Sequence, residues 1–224
     1  VLSAQLAVNW FESKLNQTIT EVLDLFAKYR ISDALNGVYK LIWDDFCSQY
    51  LEMIKPEYGQ PIDKETFEAT IDFFERIMAL THPFMPFITE EIWQDIRPRG
   101  EKESLCVAEY PKAKAIDTTL LANGEIFFEI VTNIRNLRST KNISPKTALP
   151  LTIKTENKGL YQPFEGLLVK LANISEINYT TDQADGMSFL VKADEFFVNL
   201  AGELDVAAEI ENLQKELEYT LGFK

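Results

Sequence analysis

Residues 37–56 read GVYKLIWDDFCSQYLEMIKP, and in them large apolar side chains return every three or four positions until a proline closes the run. This spacing predicts a helix whose apolar arc is wide enough to contact two or more neighbours. Pro56 predicts its end, because proline disfavours helical geometry in the residue before it. The arc consists of two stripes, Leu35, Tyr39, Ile42, Phe46, Tyr50 and Met53, and beside them Val38, Trp43, Cys47, Leu51 and Ile54.

Similar spacing on both sides of this stretch predicts further helices. A long amphipathic helix precedes it, Asp63 is placed to cap a helix after it, and a short helix follows Pro83 and Pro86. Their apolar residues are, in turn, Phe11, Leu15, Ile19, Val22 and Phe26; Phe67, Ile71, Phe74 and Met78; and Ile92, Trp93 and Ile96. The fold class is therefore mainly α, with residues 1–112 forming an antiparallel helical bundle.

The pattern changes in the second half of the chain. A helix opens at Thr118, and alternating pieces such as LPLTIKT, EINYT, MSFLVK and EFFVNLAG predict short strands around one helix, FEGLLVKLANI. Residues 113–202 are thus expected to form a small α+β unit. In residues 203–224 the apolar positions Val206, Ile210, Leu213 and Leu217 predict the first turns of a coiled coil.

Composition narrows the possible classes of protein. The 224 residues carry a formal net charge of -13, which argues against nonspecific coating of nucleic acid. No run approaches the roughly 18 apolar residues of a membrane span, and no leader peptide is evident, so we expect a cytoplasmic chain without a membrane anchor. Because it starts at Val1 and ends inside a helical pattern, the chain is expected to be a piece of something larger.

Residues able to support catalysis are few. Asp44 and Asp45 are adjacent on a helix and point about 100° apart, so we interpret them as solvated rather than as a catalytic pair. Cys47 is interpreted as a small apolar filler, and His82 as a packed or helix-terminal histidine. One histidine and two cysteines are too few soft ligands for a structural zinc site. We therefore expect no catalytic, cofactor or metal site in this chain.

A basic cluster stands out in this acidic chain. Six cations and one acid, Glu156, lie between residues 131 and 158. Arg135, Arg138 and Lys141 are three apart on a helix and so are expected to share one exposed face, which would attract a phosphate backbone because screening limits the influence of distant acids. The alternative is a solvated helix end whose cations complement the helix dipole. The cluster is Arg135, Arg138, Lys141, Lys146, Lys154 and Lys158.

Three blocks also carry a resemblance. The three blocks are YRISDALNGVYKLIWDDFCSQYLEMIKP, THPFMPFITEEIWQDI and IRNLRSTKNISPKTALPL. Their order and spacing resemble those of the C-terminal part of the valyl-tRNA synthetases, a family of class I aminoacyl-tRNA synthetases. Looser forms of the first two blocks occur in isoleucyl and leucyl relatives, which remain alternatives. A helical protein-interaction module is the alternative from another class.

The resemblance implies a role for each part of the chain. Residues 1–112 would be the helical anticodon-binding domain without its first helix, 113–202 the linking unit, and 203–224 the start of the coiled-coil arm. The partner would be the valine tRNA isoacceptors. Catalytic and editing domains upstream in a monomeric parent would use ATP and Mg to ligate valine, so the fragment itself would hold no cofactor.

The residues expected to contact tRNA come from two sources. Leu51 corresponds to the leucine of the family's YLE triplet, and its neighbours Trp43, Cys47 and Tyr50 are either contacts or scaffold. The basic cluster supplies the phosphate contacts. The full candidate set is Leu51, Trp43, Cys47, Tyr50, Arg135, Arg138, Lys141 and Lys146.

Overall fold

A computed structural model describes residues 2–200 of the chain. The predicted coiled-coil seam at residues 206–217 lies outside the described residues. The described part of the chain divides into two compact units, with the boundary between residues 125 and 126. Each unit is considered by itself below.

The first unit is built of helices, as predicted. Helix α1 contacts α2, α3, α4 and the π-helical segment and is therefore the centre of this unit. The elements are α1 (Leu2–Ala27), α2 (Ile31–Lys40), a π-helical segment (Leu41–Tyr50), α3 (Leu51–Ile54), α4 (Lys64–Thr81), α5 (Pro86–Ile96) and α6 (Thr118–Thr140), which continues into the second unit.

Aromatic side chains from three elements meet in the core of the first unit. Phe11 of α1 is fully buried, with its ring centroid 4.7 Å from Tyr50, 5.3 Å from Phe46 and 5.1 Å from Phe73. The Tyr50 hydroxyl lies 2.8 Å from the Thr70 hydroxyl and so has a hydrogen-bond partner although it is buried. This cluster joins α1, the π-helical segment and α4.

The π-helical segment changes which side chains are buried. Its hydrogen bonds span five residues, as in the bond from the Leu51 N–H to the Phe46 carbonyl. A π-helix takes more residues per turn than the 3.6 of an α-helix, so its buried positions are spaced five and four apart. The predicted stripes, drawn at α-helical spacing, are therefore wrong for Trp43 and Cys47, which are exposed. The buried residues of this segment are Leu41, Phe46 and Tyr50.

Helix α4 begins where the sequence predicts. The Asp63 side chain accepts a hydrogen bond of 2.9 Å from the Thr66 N–H and thereby caps the helix. The predicted apolar stripe is displaced, however, because Phe67 is 47% exposed. The buried apolar face consists of Phe73, Ile77, Met78 and Leu80.

The second unit contains a four-stranded sheet with the order β2-β1-β4-β3. Strands β1 and β2 are parallel and are joined through α7, the crossover that a parallel pair requires, whereas β4 pairs antiparallel with both β1 and β3. The strand and helix predictions for this region are confirmed. The elements are β1 (Leu149–Lys154), two 3₁₀ turns (Lys158–Leu160 and Gln162–Phe164), α7 (Glu165–Ala172), β2 (Ile174–Thr180), β3 (Met187–Val191) and β4 (Asp194–Val198).

Strand β1 shows why the alternating sequence forms this sheet. Leu149, Leu151 and Ile153 are buried while the residues between them are partly exposed. Helix α7 ends at Asn173, whose φ of 52° is left-handed and turns the chain into β2. Among residues 2–200, no helix combines the length and the apolar character needed to cross a membrane.

Candidate nucleic-acid interface

An exposed apolar row runs along α2, the π-helical segment and the start of α3. Leu35 is 42% exposed, Tyr39 and Trp43 are each 60% exposed, Cys47 is exposed and Leu51 is half-buried. Their spacing of four residues places them along one side of the continuous helical stretch. We call these five residues the exposed apolar row.

Tyr39 and Trp43 form the aromatic part of this row. Their ring centroids are 6.5 Å apart and the ring planes differ by 10°. The sequence pattern assigned Tyr39 to the buried arc, which is wrong. The signal that would have found it is the four-residue spacing to Trp43, which makes the two rings neighbours on a helix. Exposed, nearly parallel rings are suited to stacking against unpaired bases.

The other candidates on this helix differ in accessibility. Cys47 lies in the exposed apolar row, so its interpretation as a buried filler is wrong. Tyr50 has no exposed surface and belongs to the aromatic core, which leaves it unavailable to a ligand. Leu51 retains partial exposure at the end of the row. The structure therefore brings Trp43, Cys47 and Leu51 together and separates Tyr50 from them.

Asp44 and Asp45, adjacent in the π-helical segment, have different environments. Asp44 is exposed, but only 14% of the Asp45 side chain is accessible, so the expectation of two solvated carboxylates is wrong for Asp45. Burial raises the pKa of Asp45 to about 6, although Lys14, whose ammonium lies 3.8 Å away, acts in the opposite direction. The two adjacent carboxylates therefore differ in burial, and it is burial that raises the pKa of Asp45.

Arg138 is not part of an exposed basic face. Only 5% of the residue is accessible, and its guanidinium donates to four backbone carbonyls of the second unit. Burial lowers the pKa of this guanidinium from its ordinary value. The predicted shared face of Arg135, Arg138 and Lys141 is therefore wrong for Arg138, whose donors are directed into the protein.

The remaining cations of the basic cluster differ in their exposure and in their hydrogen-bond and ion-pair partners. Arg135 is exposed and donates one hydrogen bond of 3.1 Å to the Leu171 carbonyl, Lys146 is exposed, and Lys141 is half-buried. Lys154 lies 3.8 Å from a Glu195 carboxylate oxygen. Among the described residues, the exposed cations of the cluster are thus Arg135, Lys146 and Lys158.

Most of the helical first unit lies in a segment that matches a recognised class of protein. The sequence pattern of the family described as "Anticodon-binding domain of tRNA ligase" matches residues 8–153, which include the whole row. The chain belongs to this family.

Relatives of this chain carry a more particular name. Proteins named valine–tRNA ligase are 44% identical over 222 residues in Christiangramia forsetii and 48% identical over 222 residues in Parabacteroides distasonis, in both cases covering 99% of this chain and 25% of the relative. The valine–tRNA ligase of Listeria monocytogenes is 34% identical over 220 residues, covering 93% of this chain and 25% of the relative. The chain spans about a quarter of the length of these relatives.

Proposed function

We propose that this chain is the tRNA-recognition part of a valine–tRNA ligase and that it binds the anticodon stem-loop of valine tRNAs without performing catalysis. The observation that carries the proposal is the exposed Tyr39–Trp43 pair within the segment that matches the anticodon-binding family. Exposed aromatic surface of this size is unfavourable in water, and a partner that covers it lowers the free energy.

The exposed apolar row would take unpaired loop bases. Bases splayed from a loop present flat faces, and stacking on an aromatic side chain contributes about 1–3 kcal/mol per base. Leu51 and Cys47 would extend the contact with small apolar surface at the same edge. Specificity between bases then depends on edge contacts that this row supplements.

The phosphate backbone would be held by the accessible cations of the second unit. Arg135, Lys141 and Lys146 are proposed for this role, with Arg138 supporting the backbone behind them. Each phosphate neutralised by a cation releases counterions, so affinity would fall as salt rises even though the whole chain is acidic.

The rest of the reaction is assigned to other parts of the parent protein. ATP, Mg and valine would be handled by catalytic and editing domains outside these residues, in a monomeric cytoplasmic enzyme. Binding of the tRNA here would align its acceptor end with that distant site, so that recognition energy contributes to specificity.

A binding experiment with matched variants tests the proposal. Fluorescence anisotropy would compare the anticodon stem-loops of valine and isoleucine tRNAs across a salt series, using wild type, Tyr39→Ala and Trp43→Ala. The control is Phe87→Ala, which removes another exposed aromatic ring, 90% accessible, from the same unit. We expect each row variant to weaken valine stem-loop binding roughly 10-fold while the control leaves it unchanged.

Charge reversal tests the phosphate contacts separately. Arg135→Glu and Lys146→Glu should lower affinity for full-length valine tRNA and make the salt dependence shallower by about one unit per removed contact. The control is Lys102→Glu, the same charge change at an exposed position of the first unit.

The outcomes separate the alternatives. Preference for the isoleucine stem-loop would replace the valyl assignment with an isoleucyl one. Absence of binding to either stem-loop at low salt would refute the proposal and favour the helical protein-interaction module.

A further inference from the structure

Three groups able to bind a metal converge in the first unit, away from the exposed apolar row in sequence. His82 is the C-cap residue of α4, Glu90 lies in α5, and Cys106 lies in the segment that follows α5. The His82 Nε2 and the Cys106 Sγ are 3.4 Å apart, and all three ligand atoms lie within 4.8 Å of one another. His82 is thus helix-terminal as the sequence predicts, but its neighbours come from elsewhere in the fold.

The imidazole is oriented with a free lone pair toward this cluster. Its Nδ1 lies 2.8 Å from the Thr89 hydroxyl oxygen, and that hydroxyl donates its one proton to the Met85 carbonyl at 2.8 Å. With the Thr89 hydroxyl proton donated to Met85, the neutral ring donates from Nδ1 to Thr89, and its other nitrogen, Nε2, faces Cys106. Metal-binding histidines are commonly held in this way, with one ring nitrogen donating to a neighbour and the other binding the metal.

The Glu90 carboxylate is held in place by hydrogen bonds and can still accept a further ligand. One oxygen of Glu90 accepts from the Ser104 hydroxyl at 3.0 Å and the Leu105 N–H at 2.8 Å, so α5 holds the segment that carries Cys106. The other oxygen accepts one hydrogen bond, from the Gln94 amide at 2.9 Å. Since a carboxylate oxygen has two acceptor positions, the Glu90 carboxylate retains an acceptor position for a cation.

We propose that His82, Glu90 and Cys106 form a zinc site with a fourth position open to water. Zinc bonds of about 2.0–2.1 Å to nitrogen and about 2.3 Å to sulfur place those two atoms roughly 3.6 Å apart in a tetrahedral site, close to their present separation. A mixed set of nitrogen, sulfur and oxygen ligands favours Zn²⁺ over Mg²⁺ or Ca²⁺, which prefer oxygen alone. On binding, the Cys106 thiol loses its proton to solvent and the thiolate bonds the metal.

The bound metal would cross-link parts of the first unit that are distant in sequence. Its ligands come from α4, α5 and the following segment, so the metal would tie that segment to both helices. The sequence argued against such a site because the chain has one histidine and two cysteines. The third ligand is a carboxylate whose position near His82 depends on the packing of α5 against α4.

Metal titration tests the site directly. Zn²⁺ would be titrated in competition with a chromophoric chelator, and Co²⁺ would serve as a spectroscopic probe of thiolate bonding. We expect wild type to bind one equivalent, with a thiolate-to-cobalt absorption band. Cys106→Ser and His82→Gln each remove a direct ligand and should lose at least the roughly 100-fold in affinity that loss of an outer-shell partner can cost. Cys47→Ser is the matched control, because Cys47 is the other exposed cysteine and lies outside the cluster. Cys47→Ser should bind Zn²⁺ with the affinity of wild type.

A second measurement uses the unaltered protein. Alkylation of the two cysteines, followed by peptide mass spectrometry, should show that Zn²⁺ slows modification of Cys106 and leaves Cys47 unchanged. Absence of stoichiometric zinc binding, equal binding by Cys106→Ser, or equal effects of Zn²⁺ on the two cysteines would each overturn the proposal.

Discussion

Replacing Arg138 by methionine should unfold the second unit locally. Its Nη1 donates to the carbonyls of Ser144 and Thr147 at 3.2 and 2.7 Å, and its Nη2 to those of Ala172 and Asn173 at 3.0 and 2.9 Å. The guanidinium therefore ties the segment before β1 to the end of α7. Methionine has a similar length and apolar stem but supplies no donor, so packing is largely kept while all four bonds are lost.

The expected loss in the free energy of unfolding follows from the accessibility of those carbonyls to water. Hydrogen bonds from a charged donor contribute about 1.5–3 kcal/mol each, but carbonyls that reach water recover much of this. Of the four acceptor residues only Ala172 is buried, at 3% exposure. One dry, unpaired carbonyl at about 1–3 kcal/mol and partial losses at the other three give about 3–5 kcal/mol in total.

Two further variants calibrate that figure. Arg138→Lys retains the charge but cannot fork between two pairs of carbonyls, so we expect an intermediate loss of about 1–3 kcal/mol. Arg135→Met removes an exposed guanidinium with one hydrogen bond, to Leu171, and should change stability by less than about 1 kcal/mol.

The assay can observe the two units separately. All three tryptophans, Trp10, Trp43 and Trp93, lie in the first unit, so their fluorescence in urea follows that unit alone. Hydrogen exchange of peptides from β1, α7 and β2 follows the second unit. Arg138→Met should lose exchange protection in those peptides and change the tryptophan transition little.

Two results would refute this reasoning. Equal stability of Arg138→Met and Arg135→Met would show that the four hydrogen bonds contribute little. Loss of RNA binding by Arg138→Met with unchanged exchange protection would instead make Arg138 a phosphate contact, as the basic pattern of the sequence predicts.

Three other substitutions test the first unit, the pH response and the sheet. A Cβ added at Gly124 would overlap the buried indole of Trp10, so Gly124→Ala should cost about 1–3 kcal/mol in urea unfolding; an unchanged midpoint would show that the indole can move aside. Because the pKa of Asp45 is raised to about 6 in the folded chain, its contribution makes stability fall as pH rises from about 4 to about 6. Asp45→Asn should flatten this dependence and stabilise the protein near pH 7 by up to about 3 kcal/mol, whereas the exposed Asp44→Asn should do neither. Gly186 has a φ of 133° and a Cβ there would lie 2.6 Å from a backbone carbonyl of β4, so Gly186→Ala should reduce exchange protection in β3 and β4, and equal protection would contradict this.

Much of the secondary structure could be predicted from sequence because it depends on neighbours along the chain. Asp63 is placed to cap α4 because its side chain reaches an N–H three residues later. The strand at Leu149–Lys154 follows from the two-residue alternation of its apolar side chains. Exposure of the row was harder to predict, because ten residues form a π-helix and shift the buried face away from the α-helical period.

Charge patterns in the sequence showed where cations are but not where their side chains point. Arg138 and Arg135 are three residues apart on one helix, yet only Arg138 meets converging carbonyls, which come from residues up to 35 positions away. The sequence predicts two basic residues with equal claims to phosphate. Burial distinguishes them, since a guanidinium removed from water must satisfy its donors within the protein.

The sequence by itself determined the order of helices and strands, the cap at Asp63, the proline breaks, and the family to which the chain belongs, because all of these depend on local spacing and local motifs. The tertiary structure alone decided that Tyr39 and Trp43 are exposed together, that Tyr50 and Arg138 are enclosed, and that His82 meets Glu90 and Cys106. The physical reason is that burial and side-chain contact depend on which distant segments pack against a residue, and local periodicity carries no record of those segments.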